Sequence, residues 1–346
     1  MAQLETLVET LDFATFHSLN SKIKTKFCES LVTSLGKNGF VKLVNHGLPK
    51  DIVQEAFQIA NDFFHLPMEK KMLSPHPPSD VPHRGFSPMG MENIGKVTNF
   101  GVDETYHSKV ALKDMKETYD MGYEHDPVYE NIWPPIDVMP KFKPFMQKFW
   151  EMCYVVQQEI FEAIAIGFHL NPAILADMHL DQVNEMRLTH YPEIKLADLE
   201  SDGTSQKTRI SPHTDFGSIT LLFQDAVGGL EAEDQKVKGV FRPVEAGEID
   251  EMILNAGDCM QFWTGNRIPA ARHRVHAPPA KQAPGPDGVQ VADPNQVLPE
   301  RFSIAFFTTP DRNASLQPLN PEWYSEKHSV TMTAGEFQLS RSSGTY

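Results

Sequence analysis

Ser211-Pro212-His213-Thr214-Asp215-Phe216-Gly217-Ser218-Ile219-Thr220-Leu221-Leu222-Phe223-Gln224 is the stretch on which the reading of this chain turns. In an extended segment, residues two apart share a face, so His213 and Asp215 reach toward one point. The apolar β-formers that follow read as a strand. The same texture spreads outward: short apolar runs at 185–191, 239–244, 252–255, 259–263, 273–276 and 301–308 are separated by Gly, Pro, Asp and Asn. Many brief strands without helices between them indicate a β-sandwich or barrel rather than alternating β-α units. Arg272-His273-Arg274-Val275 heads one such run, and a strand crossing the sandwich would deliver His273 to the same point as the first pair.

Two imidazoles and one carboxylate bind one face of an ion and leave the other face open, which suits an iron(II) that takes up a chelating cosubstrate and dioxygen. The same set holds zinc in hydrolases, so the ligands alone do not choose the metal. Arg301-Phe302-Ser303-Ile304-Ala305-Phe306-Phe307 then places a guanidinium and a hydroxyl two apart in an apolar strand. That pair is a receiver for a carboxylate, and a buried arginine without such a partner is costly. An acidic small molecule inside the sandwich is therefore expected. Phe216, next to a candidate ligand, and Phe307, on the Arg301 strand, are candidate substrate contacts.

The first part of the chain reads as helical. Ile23, Phe27, Leu31 and Leu35 recur every four residues before Gly36 as a stop. Gly39 to Val44 reads as a strand closed by the turn Asn45-His46-Gly47. A second helix follows, with Asp51 as cap and Val53, Ala56, Phe57, Ala60 and Phe64 on one stripe. Residues 75–139 show little periodicity and begin as proline-rich loop, and the strongest helix runs from about Pro140 to Gly167. We divide the chain into an N-terminal helical and mixed region, 1–139, and a long backbone helix plus β core, 140–346, an α+β arrangement with a mainly β core. Residues 277–300, rich in Pro, Ala, Gly and Asp, read as an inserted surface loop. His46, His83 and His190 read as structural.

With 346 residues the chain buries a core without staples, and three cysteines without close spacing fit a reducing compartment. A net charge of -15, from 31 Lys+Arg against 46 Asp+Glu, argues against nucleic acid as a partner. No apolar stretch approaches membrane-spanning length and neither end reads as a targeting signal, so the expectation is a cytoplasmic protein, plausibly a monomer, with a small-molecule substrate and no membrane partner.

These residues resemble the isopenicillin N synthase-like family of iron(II)/2-oxoglutarate-dependent dioxygenases of plants and fungi. The resemblance spans most of the chain: Gly39 to Gly47, Phe63-Phe64 with Leu66-Pro67, His83-Arg84-Gly85-Phe86, His190-Tyr191-Pro192, Asn255-Ala256-Gly257-Asp258 and Arg301-x-Ser303 stand in the family's order around His-x-Asp and His-Arg-Val. It implies a distorted jelly-roll, or double-stranded β-helix, flanked by helices. Iron(II) would be held by His213, Asp215 and His273; 2-oxoglutarate would chelate it and place its other carboxylate on Arg301 and Ser303, with a hydrogen bond from Tyr191. With O2, the cosubstrate would become succinate and carbon dioxide while a small organic metabolite is hydroxylated, desaturated or rearranged, in secondary metabolism. Thr189 departs from the family's commoner asparagine, and the 277–300 insert lengthens the path from His273 to Arg301. Two other readings share these motifs: an oxidase like isopenicillin N synthase, which needs no 2-oxoglutarate, and a jelly-roll that binds without turnover.

Overall fold

The computed structural model describes residues 8–79, 83–92, 111–199, 205–276, 282–284, 290–292, 296–325 and 330–342; the chain ends and residues 93–110 lie outside these, as does most of the insert after residue 276. Two sheets face one another. The larger runs in the order Thr10–Asp12, Phe40–Val44, Met252–Ala256, Ile219–Gln224, Arg301–Phe307, Glu185–Tyr191, Glu117–Gly122, Gly85–Ser87. The smaller runs Phe241–Pro243, Leu230–Glu233, His273–Val275, Ile210–His213. This is the expected α+β jelly-roll.

Alternation along the central strands separates core from cavity. In Arg301–Phe307 the even-numbered Phe302, Ile304 and Phe306 join the core cluster. In Ile219–Gln224, Ile219, Leu221 and Phe223 do the same. Phe149, Val156 and Ile160 of the helix Phe142–Gly167 pack against that face. The opposite face, carrying Arg301, Ser303, Ala305 and Phe307, looks into the space between the sheets.

Several local expectations are corrected. Residues 259–263 are not a strand but the helix Asp258–Trp263, because a short apolar run is equally a buried helical turn. The first helix, Ser21–Asn38, passes Gly36 and stops at Gly39, whose left-handed φ of 72° only glycine adopts freely. Its Ile23 is 46% exposed, so the buried stripe begins at Phe27. Asp51 lies in the first turn of Lys50–Phe64 and does not cap it; that position is Pro49. Residues 75–139 contain the strands Gly85–Ser87 and Glu117–Gly122, and the insert contains a two-stranded hairpin, Gln282–Pro284 with Gln290–Ala292. Among the described residues, no helix is long and apolar enough to cross a membrane.

Candidate active site

His213 and His273 are directly opposed in an antiparallel pair of the smaller sheet. Their ring centroids are 4.4 Å apart. Asp215 follows two residues after His213, and its Oδ1 lies 3.7 Å from Nε2 of His213 and 3.8 Å from Nε2 of His273. One ligand atom from each of the three falls within 4.8 Å of the others. All three side chains are buried.

Each side chain is oriented by a second bond. His213 Nδ1 donates to the carbonyl of Ser211 at 2.8 Å and His273 Nδ1 to that of Ala271 at 2.7 Å. A carbonyl only accepts, so Nδ1 carries a hydrogen in both rings and Nε2 is the nitrogen turned toward an ion. Asp215 Oδ2 accepts from Thr220 Oγ1 at 2.6 Å and Asn255 Nδ2 at 2.7 Å, which leaves Oδ1 facing the imidazoles. Burial, then the neighbouring imidazole of His273, hold His213 well below an ordinary histidine, so it stays in the neutral, ligating form. Burial pushes the carboxyl of Asp215 up, yet His273 and the hydrogen bonds from Thr220 and Asn255 outweigh it and keep the group ionised. Gly257 permits this packing: a Cβ there would lie 2.4 Å from the carbonyl of Gly217 and 2.8 Å from that of Asp215.

Arg301 faces Tyr191 across the strand pair, and Ser303 faces Thr189. The Arg301 guanidinium sits 4.7 Å from the Tyr191 ring centroid and donates Nη2 to Gln224 Oε1 at 2.9 Å. Its Nε and Nη1 are buried without a hydrogen-bond partner. Orphaned donors on a buried cation at the end of a cavity are what a carboxylate would satisfy. Tyr191, Ser303, Phe216 and Phe307 all line the same cavity as the three candidate ligands, so the structure brings every sequence-derived candidate together.

Several groups in the cavity wall or just behind it were given no site role by the sequence reading. Arg209, fully buried, lies 5.9 Å from the Tyr191 centroid, and its Nε and Nη1 also lack partners. Burial and then Arg301 push its guanidinium down to about 10. At the other end stand Glu92, Lys116, Glu185, Arg187 and His83. His83 had read as structural. Apart from His83, which stands in the His83-Arg84-Gly85-Phe86 stretch, no motif marks these residues; isolated charges in a sequence look like solvated surface.

Two family models match the chain: the non-haem dioxygenase in morphine synthesis N-terminal family over residues 8–136 and the 2OG-Fe(II) oxygenase superfamily over residues 183–310. The 2-oxoglutarate-dependent dioxygenase frbA of Dothideomycetidae sp. is 39% identical over 98% of this chain and 97% of its own length. Proline hydroxylase buaE of Petromyces alliaceus is 35% identical over 98% of this chain and 99% of its own. Among crystal structures, a full-length Neurospora crassa protein in complex with alpha-KG and thymine superposes with a TM-score of 0.82 at 29% identity, covering 98% of this chain and 97% of that one.

Proposed function

The chain belongs to the 2OG-Fe(II) oxygenase superfamily and is a 2-oxoglutarate/Fe(II)-dependent dioxygenase; from that premise we propose that it hydroxylates a small organic metabolite at the centre formed by His213, Asp215 and His273. Bound together, iron(II), 2-oxoglutarate and O2 supply the oxidising chemistry, in which one oxygen atom enters succinate as carbon dioxide leaves and the other enters the substrate. The polypeptide supplies position. Two imidazoles turned inward through Nε2 and an ionised carboxylate on one side of a buried point, with the cavity side open, match the donor set iron(II) needs for a chelating cosubstrate. The distal carboxylate of 2-oxoglutarate would take the free donors of Arg301 with help from Ser303, while Tyr191 walls that corner. Phe216 and Phe307 would exclude water around the substrate carbon. Hydroxylation is favoured over desaturation by a near full-length relative named as a proline hydroxylase.

The observation that carries this reading is the single cavity shared by the three ligand atoms and the orphaned Arg301 donors. Anaerobic addition of 2-oxoglutarate to the iron-loaded protein should raise a visible charge-transfer band, and aeration should release succinate. Asp215→Ala should abolish both while leaving circular dichroism unchanged. A D215A protein that still turns over 2-oxoglutarate would exclude this centre.

A further inference from the structure

The cavity is a ladder built on two paired strands. Arg301, Ser303, Ala305 and Phe307 stand opposite Tyr191, Thr189, Arg187 and Glu185 in register, and all eight face inward. At roughly 3.3 Å per residue, Arg187 lies on the order of 13 Å along the strand from Tyr191. One end therefore belongs to the cosubstrate carboxylate, and the other is left for the organic substrate.

That far end is ionic, and it carries both signs. Arg187 Nε meets Asp120 Oδ1 at 2.6 Å and its Nη1 meets Glu92 Oε1 at 2.9 Å. Lys116 pairs with the second oxygen of Glu92. Glu185 Oε1 meets Arg84 at 3.0 Å, and His83 stands 3.6 Å from its other oxygen. Glu92 and Lys116 are as buried as core residues, at 4% and 3% exposure. Burial works against ionisation of Glu92, but Arg187 and Lys116 overcome it and hold the carboxyl far below its usual range.

A buried ionic wall is dearer than an apolar one of the same volume. An apolar substrate would strip the remaining water from these groups and return nothing. A substrate with one charge would satisfy one sign and confront the other. A small molecule with both signs on one short frame can hydrogen-bond to both members of these ion pairs at once, and its hydrocarbon part then falls between Phe307 and Phe216.

We propose that this end of the cavity receives a zwitterion of the free amino-acid type, with Lys116 and Arg187 facing its carboxylate and Glu92 and Glu185 facing its ammonium group. This deepens the hydroxylase reading and rests on it. The proposal is tested on the full chain loaded with iron and 2-oxoglutarate, using the twenty proteinogenic L-amino acids, their methyl esters and their N-acetyl derivatives. Stimulated succinate release and, anaerobically, the rise in melting temperature are both read. At least one free amino acid should exceed its own ester and its own N-acetyl form by tenfold or more in both. Lys116→Gln should cut the acid-over-ester preference at least fivefold while keeping the amine-over-amide preference, and Glu92→Gln should do the converse; each ratio is taken within one variant, so a loss of folded protein does not move it. Esters or amides that match the free forms, stimulation by none of the free amino acids, or ratios unmoved in both variants would overturn the assignment. Charge-transfer on 2-oxoglutarate binding and slow succinate release without any organic substrate would survive that outcome, and only their loss would count against the enzyme class itself.

Discussion

Asp215 gives one carboxylate oxygen to the protein and keeps the other for the cavity, and the two donors that hold it, Thr220 and Asn255, come from different strands of the larger sheet. Removing either lets the carboxylate rotate, and partners of this kind are typically worth 10- to 100-fold in metal affinity. Asn255→Ala is therefore expected to weaken iron or cobalt binding by about tenfold or more in a metal titration, with little change in thermal stability; unaltered affinity would show that the orientation of Asp215 is set elsewhere. The second residue-scale expectation concerns Arg209. Two buried guanidinium groups flank Tyr191, and Asp225 in the same corner already accepts the amide of Phe302. An incoming carboxylate therefore meets Arg301 in the cavity wall with a second cation, Arg209, buried behind it. Arg209→Met should weaken binding of 2-oxoglutarate and of glutarate by about tenfold and leave a 2-oxo acid without a distal carboxylate unaffected. Equal losses for all three would make Arg209 merely structural. His213 with Asp215, and Arg301 with Ser303, stood out in the sequence because a strand's period of two turns spacing into shared direction, whereas His273 stood out only as the head of another short run in the family's order. Arg209 did not, since its meaning comes from Tyr191, eighteen positions earlier in the chain and adjacent only after folding.

The elements that position the site are held from behind by one buried histidine. The ring of His179 lies 4.4 Å from that of Phe161 of the long helix, tilted against it, and meets Trp263 of the Asp258–Trp263 helix edge-on at 5.7 Å. Its Nδ1 donates to the carbonyl of Leu175, and its Nε2 accepts from the hydroxyl of Ser218, just ahead of the Ile219–Gln224 strand. Burial pushes its pKa from 6.5 down to about 4. The fold thus holds the neutral form: the contribution is complete above about 6.5 and is lost as pH falls toward 4, an acid sensitivity of roughly 3 kcal/mol. Urea unfolding between pH 7 and pH 4 should show that slope, and His179→Gln should flatten it at a cost in stability at neutral pH. A slope unchanged in the variant would assign the acid lability to other groups. The same neighbourhood shows where element-level reading fails. Asp258–Trp263 is apolar enough for a strand and too short for periodicity to decide, and its helical state is imposed by the close approach of Gly257 to Gly217 and Asp215. Glu117–Gly122 escaped for the opposite reason: its acidic residues suggest a loop, whereas Glu117 is neutralised by Lys71 and Asp120 by Arg187.

At the scale of the whole molecule, the space between the two sheets is closed by the C-terminal helix Ala334–Ser342, which lies beyond the stretch matched by the oxygenase family model. Gln338 reaches the cavity wall. Arg341 is buried over the Phe216 ring at 4.6 Å, donates to the hydroxyl of Thr214 at 3.3 Å and stands 3.5 Å from Asp258 Oδ2. The last helix is therefore fastened to the residues on either side of Asp215. Nothing in the sequence announces this, because Arg341 sits in a polar tail with no apolar stripe around it. The pairing is also lopsided: burial raises the carboxyl of Asp258 to about 6 even with Arg341 beside it. Removing the guanidinium leaves a buried carboxylate that either stays charged at high cost or takes up a proton. The second route caps the penalty, so Arg341→Met is expected to destabilise by about 3 kcal/mol at pH 7.5, the low end for a broken buried pair, and by less at pH 5.5, where the carboxyl protonates readily. Adding Asp258→Asn should recover more than half of the loss at pH 7.5 and nearly nothing at pH 5.5. Denaturant unfolding of the two single variants and the double variant at both pH values measures that coupling directly; strictly additive effects at pH 7.5 would mean that Arg341 fastens the helix through Phe216 and Thr214 alone.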